Sequence, residues 1–428
     1  MRSLRLEVLI ALALLHSVPA AAQTETDDRL AVATQIQSAT RQRLGVFGDA
    51  FTCPDARFVS YRRSDAEPEV TDQWYVASQL YADAALLSAR DPNDVDERCY
   101  LDKGFVFLDR LWDYTSSGYF PRSNPVGTDV TPDKRYTDDN LIAGLALLQT
   151  AAITDDPLGK SRYIHAAQRQ ADFLQGSGLW DDTFGGGFWW NTGRGDTEEG
   201  KPAQTNALAA LFFAELYDAT GDSTYRDWSL RSLLWLDTIL WDPGRQLYRW
   251  SVAYTDLPKR TGATVHTRYF NYDQGIAIQA QLRAMSLDGD ANRLARAESI
   301  ARATHATFWS APLGGYDLEA GIEQVYTSYA AWTSLGFTSL YAVDGDSSWL
   351  DFARQNADAL SSRLRESDGG FAYRAYQCVN KLAPGCEAGP PATVVDHLRD
   401  TSAQAWMQYL QTALWEADQP PLGSLSRN

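Results

Sequence analysis

Three observations predict an all-α protein with an (α/α)6 barrel, six helical hairpins closed into a ring. Apolar residues recur at helical spacing in twelve segments, no run alternates as a strand would, and the connectors alternate between tight turns and long loops. In chain order the segments are 28–44, 74–89, 98–113, 138–150, 160–176, 204–220, 223–240, 273–287, 291–307, 324–343, 347–365 and 401–415. Thr220-Gly221-Asp222, Asp288-Gly289-Asp290 and Asp344-Gly345-Asp346 join helices by tight turns. The other connectors are longer and aromatic: Gly185 to Trp190, Gly314-Gly315-Tyr316 and Gly369 to Tyr373. Hairpins with one short and one long link close into a ring with the long loops on one face. An open solenoid is the alternative, and it needs polar capping repeats that neither end supplies.

In such a ring the even-numbered helices are the inner ones, and their amino ends meet at one mouth. The six starts read Asp72-Gln73-Trp74, Asp138-Asp139-Asn140, Gln204-Thr205-Asn206, Asn271-Tyr272-Asp273-Gln274, Glu323-Gln324 with Tyr326, and Asp400-Thr401 with Gln404. Asp, Asn and Thr also cap helices. Carboxylates, amides and aromatic rings without Lys or Arg nevertheless suit an uncharged polyhydroxylated ligand, which needs paired hydrogen bonds and flat apolar faces. A sugar fits this mouth.

The composition agrees. Hydrophobic residues make up 44% and charged residues 22% of 428, an ordinary globular balance. The 14 Trp and 21 Tyr, against 3 Met, exceed what a core requires and suggest a binding surface. A net charge of −17 repels a phosphate backbone, so nucleic acid is not an expected partner. Arg2 and Arg5, the apolar run Val8 to Leu15, and Ala20-Ala21-Ala22 read as a secretory signal over 1–22, leaving 23–428 as one catalytic domain. No segment suits a membrane helix. Secretion or periplasmic export permits disulfides, and the expected pairs are Cys53 with Cys99 and Cys378 with Cys386.

Tyr136-Thr137-Asp138-Asp139-Asn140 carries the most chemistry. Glycoside hydrolysis commonly needs one ionised carboxyl and one that keeps its proton. A helix amino terminus favours one anion, while the adjacent like charge and burial raise the pKa of the other. Successive helical positions diverge by about 100°, so two carboxyls can reach different atoms of one bond. Trp189 and Trp190, after three glycines, form either a stacking platform for a pyranose or a pair that packs the loop onto the ring.

These motifs resemble glycoside hydrolase family 76, the endo-α-1,6-mannanases, over about 130–310. The matching stretches are Tyr136 to Leu148 with Asp138-Asp139, Gly185 to Trp190 followed by Asn206, Thr220-Gly221-Asp222, and Asn271-Tyr272-Asp273-Gln274-Gly275. The resemblance implies an (α/α)6 barrel, retention of anomeric configuration, Asp138 as nucleophile and Asp139 as acid/base. The chain departs from the family with Leu141-Ile142-Ala143 where an aromatic usually follows the aspartates, and with Asp273 in the usual Tyr-Asn-Gln-Gly. Residues 316–415 match poorly.

The expected substrate is therefore a neutral polysaccharide or oligosaccharide, bound by Trp74, Tyr136, Trp189, Trp190, Asn206, Asn271, Tyr272, Asp273 and Gln274. The expected function is that of an exported, monomeric mannan hydrolase. Alternatives are a non-catalytic carbohydrate-binding protein of the same shape, a sugar isomerase, or an unsaturated-uronide hydrolase. His165 and His305 fall on outer helices, which disfavours an epimerase using histidine as acid and base. No zinc spacing, calcium loop or phosphate loop is evident, so no metal or cofactor is expected.

Overall fold

The computed structural model describes residues 20–379, 386–387 and 392–419, the side chains of 20–28 excepted. Residues 1–19, most of the expected signal, lie outside the described residues. The helices are α1 Ala20–Leu44, α2 Gln73–Arg90, α3 Val95–Arg110, α4 Thr137–Ala152, α5 Pro157–Gly176, α6 Ala203–Thr220, α7 Ser223–Ile239, α8 Asn271–Asp288, α9 Asn292–Phe308, α10 Thr327–Asp344, α11 Ser347–Leu364 and α12 Thr401–Asp418. Even-numbered helices each pack on the next, and α12 packs on α2 to close the circle. The odd-numbered helices pack outside, with α3 on α2, α5 on α4, α7 on α6, α9 on α8, α11 on α10 and α1 on α12. This is the (α/α)6 barrel that the alternating connectors predict.

The tight turns work as their residues require. Gly221, Gly289 and Gly345 take φ of 72°, 73° and 73°, and each amide bonds the carbonyl four residues earlier. Asp222 and Asp346 then cap the next helices by accepting from Thr224 and Ser348 amides at 2.9 and 3.0 Å. Gly275 has a different purpose. A Cβ there would lie 2.6 Å from the Cα of Thr333, so its absence lets α8 and α10 touch backbone to backbone.

Several boundaries differ from expectation by three residues or more: α3 spans Val95–Arg110 rather than 98–113, α5 starts at Pro157 rather than 160, α12 ends at Asp418 rather than 415, and α1 and α10 differ at their starts. Helix α1 is already helical at Ala20, the first described residue, eight residues before the expected 28. Helix α10 starts at Thr327 rather than 324, because Gln324–Tyr326 pairs as a strand with Arg374–Gln377, which also pairs with Thr393–Asp396. A second three-stranded sheet joins Lys201–Pro202, Ser251–Ala253 and Thr264–His266. Strands of two to four residues are too short to show alternation in sequence, so the all-helical pattern hides them.

The ring closes over a buried polar knot. Asp83 of α2 is 2% exposed. Its Oδ1 accepts from Gln37, Gln79 and Gln408, each at 2.9 Å. Its Oδ2 lies 3.5 Å from an Arg41 nitrogen and 3.4 Å from the Tyr61 hydroxyl. Residues of α1, α2 and α12 thus meet on one carboxylate. Both expected disulfides are present, Cys53–Cys99 tying the loop after α1 to α3 and Cys378–Cys386 closing a loop between the strands Arg374–Gln377 and Thr393–Asp396.

Candidate active site

The amino ends of the inner helices surround a cleft of about 610 Å³, a size suited to a few sugar units. Asp138 and Asp139 lie on its floor in the first turn of α4. The peptide backbone there is fixed by the glycine-rich loop between α5 and α6: the Thr137 amide donates to the Trp190 carbonyl at 2.8 Å, and the Thr137 hydroxyl to the Trp189 carbonyl at 2.6 Å.

The two carboxyls have unequal surroundings. Asp138 Oδ2 accepts from Trp190 Nε1 at 3.0 Å and from Gln204 Nε2 at 2.8 Å, while Oδ1 accepts from the Asp139 amide at 3.1 Å. Burial raises its pKa to about 6, and these donors restrain the rise. Asp139 has no such donors. Burial first, then the charges of Asp138 and Asp72, push it well above the usual carboxylate value, with Arg122 opposing. The site therefore holds an anion solvated by protein donors beside a carboxyl that keeps its proton.

Of the residues the sequence places at a sugar, Trp74, Tyr136, Trp190 and Tyr272 do line the cleft. Tyr136 and Trp190 meet edge to face with centroids 4.8 Å apart. Tyr272 stacks toward Tyr329 and Trp332. Trp189 does not join them. It is 1% exposed, donates from Nε1 to Asp181 at 2.8 Å and packs on Phe184 and Tyr254, so it is the loop anchor of the two alternatives.

The amides are also placed differently from expectation. Asn206, fourth residue of α6, accepts from the Phe188 amide at 2.7 Å and donates to the Phe188 and Pro202 carbonyls. Gln274, fourth in α8, grips both backbone groups of Tyr248 at 2.8 and 3.0 Å. Gln404 does the same to Phe371 from α12, and Asn140 of α4 accepts from the Tyr119 amide. Asn271 is wholly buried and donates to the Tyr316 carbonyl. Asn140, Asn206, Gln274 and Gln404 thus staple the hairpin before each of their helices, and Asn271 the hairpin after α9, supplying the partners that buried loop backbone needs. Asp273 is likewise wholly buried and does not line the cleft; both its oxygens lack a hydrogen-bond partner. Burial raises its pKa well above the carboxylate range.

Gln204 is in the start that the sequence places at the mouth, but it and not the expected Asn206 is the residue that touches Asp138. The cleft also contains residues that helix starts alone do not reveal. Tyr329 and Trp332 sit within the first two turns of α10, hidden by the three-residue error in its start. Arg63 and Arg268 reach the cleft from loops, and Arg122 from the short strand Arg122–Ser123 that pairs with Thr71–Asp72. Each is tied to a carboxylate: Arg63 and Arg122 to the two oxygens of Asp72 at 3.0 and 2.8 Å, and Arg268 to Glu319 through two 2.8 Å bonds. The mouth is thus not free of arginine, as its helix starts suggest, but each arginine faces acid, Arg63 also pairing with Glu67 at 3.2 Å.

Comparison with known proteins places this geometry. The fold superposes on a family 76 α-mannanase of Bacteroides thetaiotaomicron with TM-score 0.70 and 18% identity, covering 92% of this chain and 98% of that one. An α-1,6-mannanase of Salegentibacter sp. HEL1_6 gives 0.65 and 20%, covering 91% and 100%. Cellobiose 2-epimerase of Spirochaeta thermophila shares the fold at 0.70 and 14%, covering 94% and 98%. No curated protein matches in sequence. The model of glycosyl hydrolase family 76 matches residues 126–341, half of the chain, reaching past the 130–310 stretch of motifs through most of α10 and including both aspartates. The chain belongs to glycosyl hydrolase family 76.

Proposed function

We propose that the protein hydrolyses α-mannosidic linkages within mannan, the α-1,6-linked backbone foremost, with retention of configuration. The carrying observation is the inequality of Asp138 and Asp139. Asp138, held as an anion by Trp190 and Gln204, attacks the anomeric carbon. Asp139 gives its proton to the departing glycosidic oxygen as that bond breaks. As a carboxylate, Asp139 then takes a proton from water, whose oxygen displaces Asp138 from the glycosyl ester. Trp74, Tyr136, Trp190 and Tyr272 offer ring faces to the sugars.

Family membership supports this reading, as does the oligosaccharide bound by a relative. An inactive variant of the Salegentibacter α-1,6-mannanase, with two consecutive aspartates replaced, is in complex with α-1,6-mannotetrose. The epimerase likeness supports a second reading less well, because no histidine lines the cleft among the described residues. His165 lies in an outer groove, His305 packs on Phe352, and His397 faces Glu366. The two disulfides fit a secreted or periplasmic site of action, with 23–428 acting as one monomeric catalytic domain. Digestion of α-1,6-mannan, followed by NMR of the first anomer released, tests the proposal. Retained α-mannose ends are expected, and an inverted product or an intact polymer would overturn it.

A further inference from the structure

Lys201 is wholly buried, yet it lies near the cleft on the strand that follows the glycine-rich loop. Its Nζ is 2.8 Å from Asp181 Oδ1, 3.1 Å from the Asp181 carbonyl, 2.8 Å from that of Thr183 and 2.6 Å from that of Gly186. The Trp189 ring covers the remaining side, 4.6 Å from centroid to nitrogen. An apolar side chain would fill the space without the desolvation cost of a buried charge, so packing alone does not account for an ammonium here. What the charge provides is convergence. Its three N–H groups draw together carbonyls from a segment in which Phe184, Gly185, Gly186 and Gly187 all have positive φ. Phe184, at φ 57°, occupies a region that non-glycine residues hold only when their surroundings fix them.

We propose that Lys201 is a positioning residue whose ammonium shapes the 181–189 loop and thereby sets the hydrogen bond from Trp190 to Asp138. This rests on Asp138 being the nucleophile. The connection is short. The Trp190 amide donates to the carbonyl of Gly200, the neighbour of Lys201, at 2.9 Å, and the Trp189 and Trp190 carbonyls fasten to Thr137 at the start of α4. Trp190 Nε1 then reaches Asp138 at 3.0 Å. The acids facing Lys201 are Asp181 and Asp182; burial lowers its pKa to about 8, so it is an ammonium at neutral pH.

The test reads the acid limb of kcat/KM against pH on α-1,6-mannotetraose, where ionisation of Asp138 sets the limb. Besides Trp190 and Gln204, the groups facing Asp138 are Asp139 from α4, Tyr136 before it, Tyr272 from α8 and Tyr329 from α10, with Asp72 and Arg122 acting on Asp139. Trp190→Phe removes the donor and should move the limb up by about one pH unit, since a charge-assisted bond is of that worth. Lys201→Met, with circular dichroism and Tm as folding controls, should move it the same way and lower kcat about 10- to 100-fold, as misplacement of a catalytic group does. The double variant should move it no further. An unmoved limb in Lys201→Met, or shifts that add in the double variant, would overturn the inference. Should Lys201→Met not fold, Asp181→Asn replaces it: a limb moved up supports the inference, an unmoved one overturns it. Full activity of Asp138→Asn would instead overturn the function on which the inference rests.

Discussion

Two regions of the inner ring bury carboxyls, and they treat them in opposite ways. At the seam between α12 and α2, Asp83 meets five donors from three helices and one strand. At the mouth, Asp139 has no donor of its own and Asp273 has neither oxygen partnered. A carboxylate whose every oxygen is satisfied is a fastening, and it can be silent in chemistry. A carboxyl left short of donors retains its proton, which costs stability but makes it available as an acid. Hydrogen bonds separate Asp83 from Asp139, but access to the cleft is needed as well to tell scaffold from site. Asp138 has three donors and lines the cleft, while Asp273 has none and does not.

The largest expected effect lies at the mouth. Asp138→Asn and Asp139→Asn should each lower kcat on mannan by about 10² to 10⁴ or more while Tm stays at or above that of the wild type. Near-normal turnover in either would remove the contrast. At the seam the same kind of change should do the reverse: Asp83→Ala leaves Arg41 and three glutamines facing one another in the core, and should cost about 3–5 kcal/mol in urea unfolding. Activity per folded molecule should be unchanged.

Trp189→Ala sharpens the division within one loop. Because this ring is scaffold, the change should cost about 3 kcal/mol of stability and leave the Kd for α-1,6-mannotetraose, measured at low temperature, within a few fold. A large loss of affinity with unaltered Tm would return Trp189 to the binding surface.

The smallest effect concerns Asp273. Its carboxyl stays protonated in the fold and ionises in the unfolded chain, so the unfolded state binds fewer protons above the ordinary carboxyl pKa. Its contribution is thus fully present below about pH 4 and is lost as pH rises toward the raised folded value. Asp273→Asn should therefore match the wild type near pH 4 and exceed it by about 1–3 kcal/mol near pH 8. Equal Tm values at pH 8 would show that Asp273 finds a partner in solution.

The legible parts of the candidate site are those whose chemistry is local. Asp138 and Asp139 stand together at a helix start, and Trp190 follows a run of glycines, so sequence alone places them at the mouth. Asn206 and Gln274 occupy the same mouth positions and are equally expected at a sugar. Their role as staples depends on Phe188 and Tyr248, which come from preceding hairpins. An amide reads the same in sequence whether it faces a ligand or a backbone, since both offer donors and acceptors.

The sequence by itself determined the helix count, the alternation of tight and long connectors and the aspartate pair, while the disulfide pairs it only suggested were fixed by the fold. The first three follow from periodicity, turn residues and adjacency, which are properties of neighbours along the chain. Only the tertiary structure decided which aspartate receives Trp190 and Gln204, which of two adjacent tryptophans faces the cleft, and that Arg122 meets Asp72 from 50 residues away and neutralises it there. Hydrogen bonding and desolvation depend on what the closed ring brings within about 3 Å, and no spacing along a single chain records that distance.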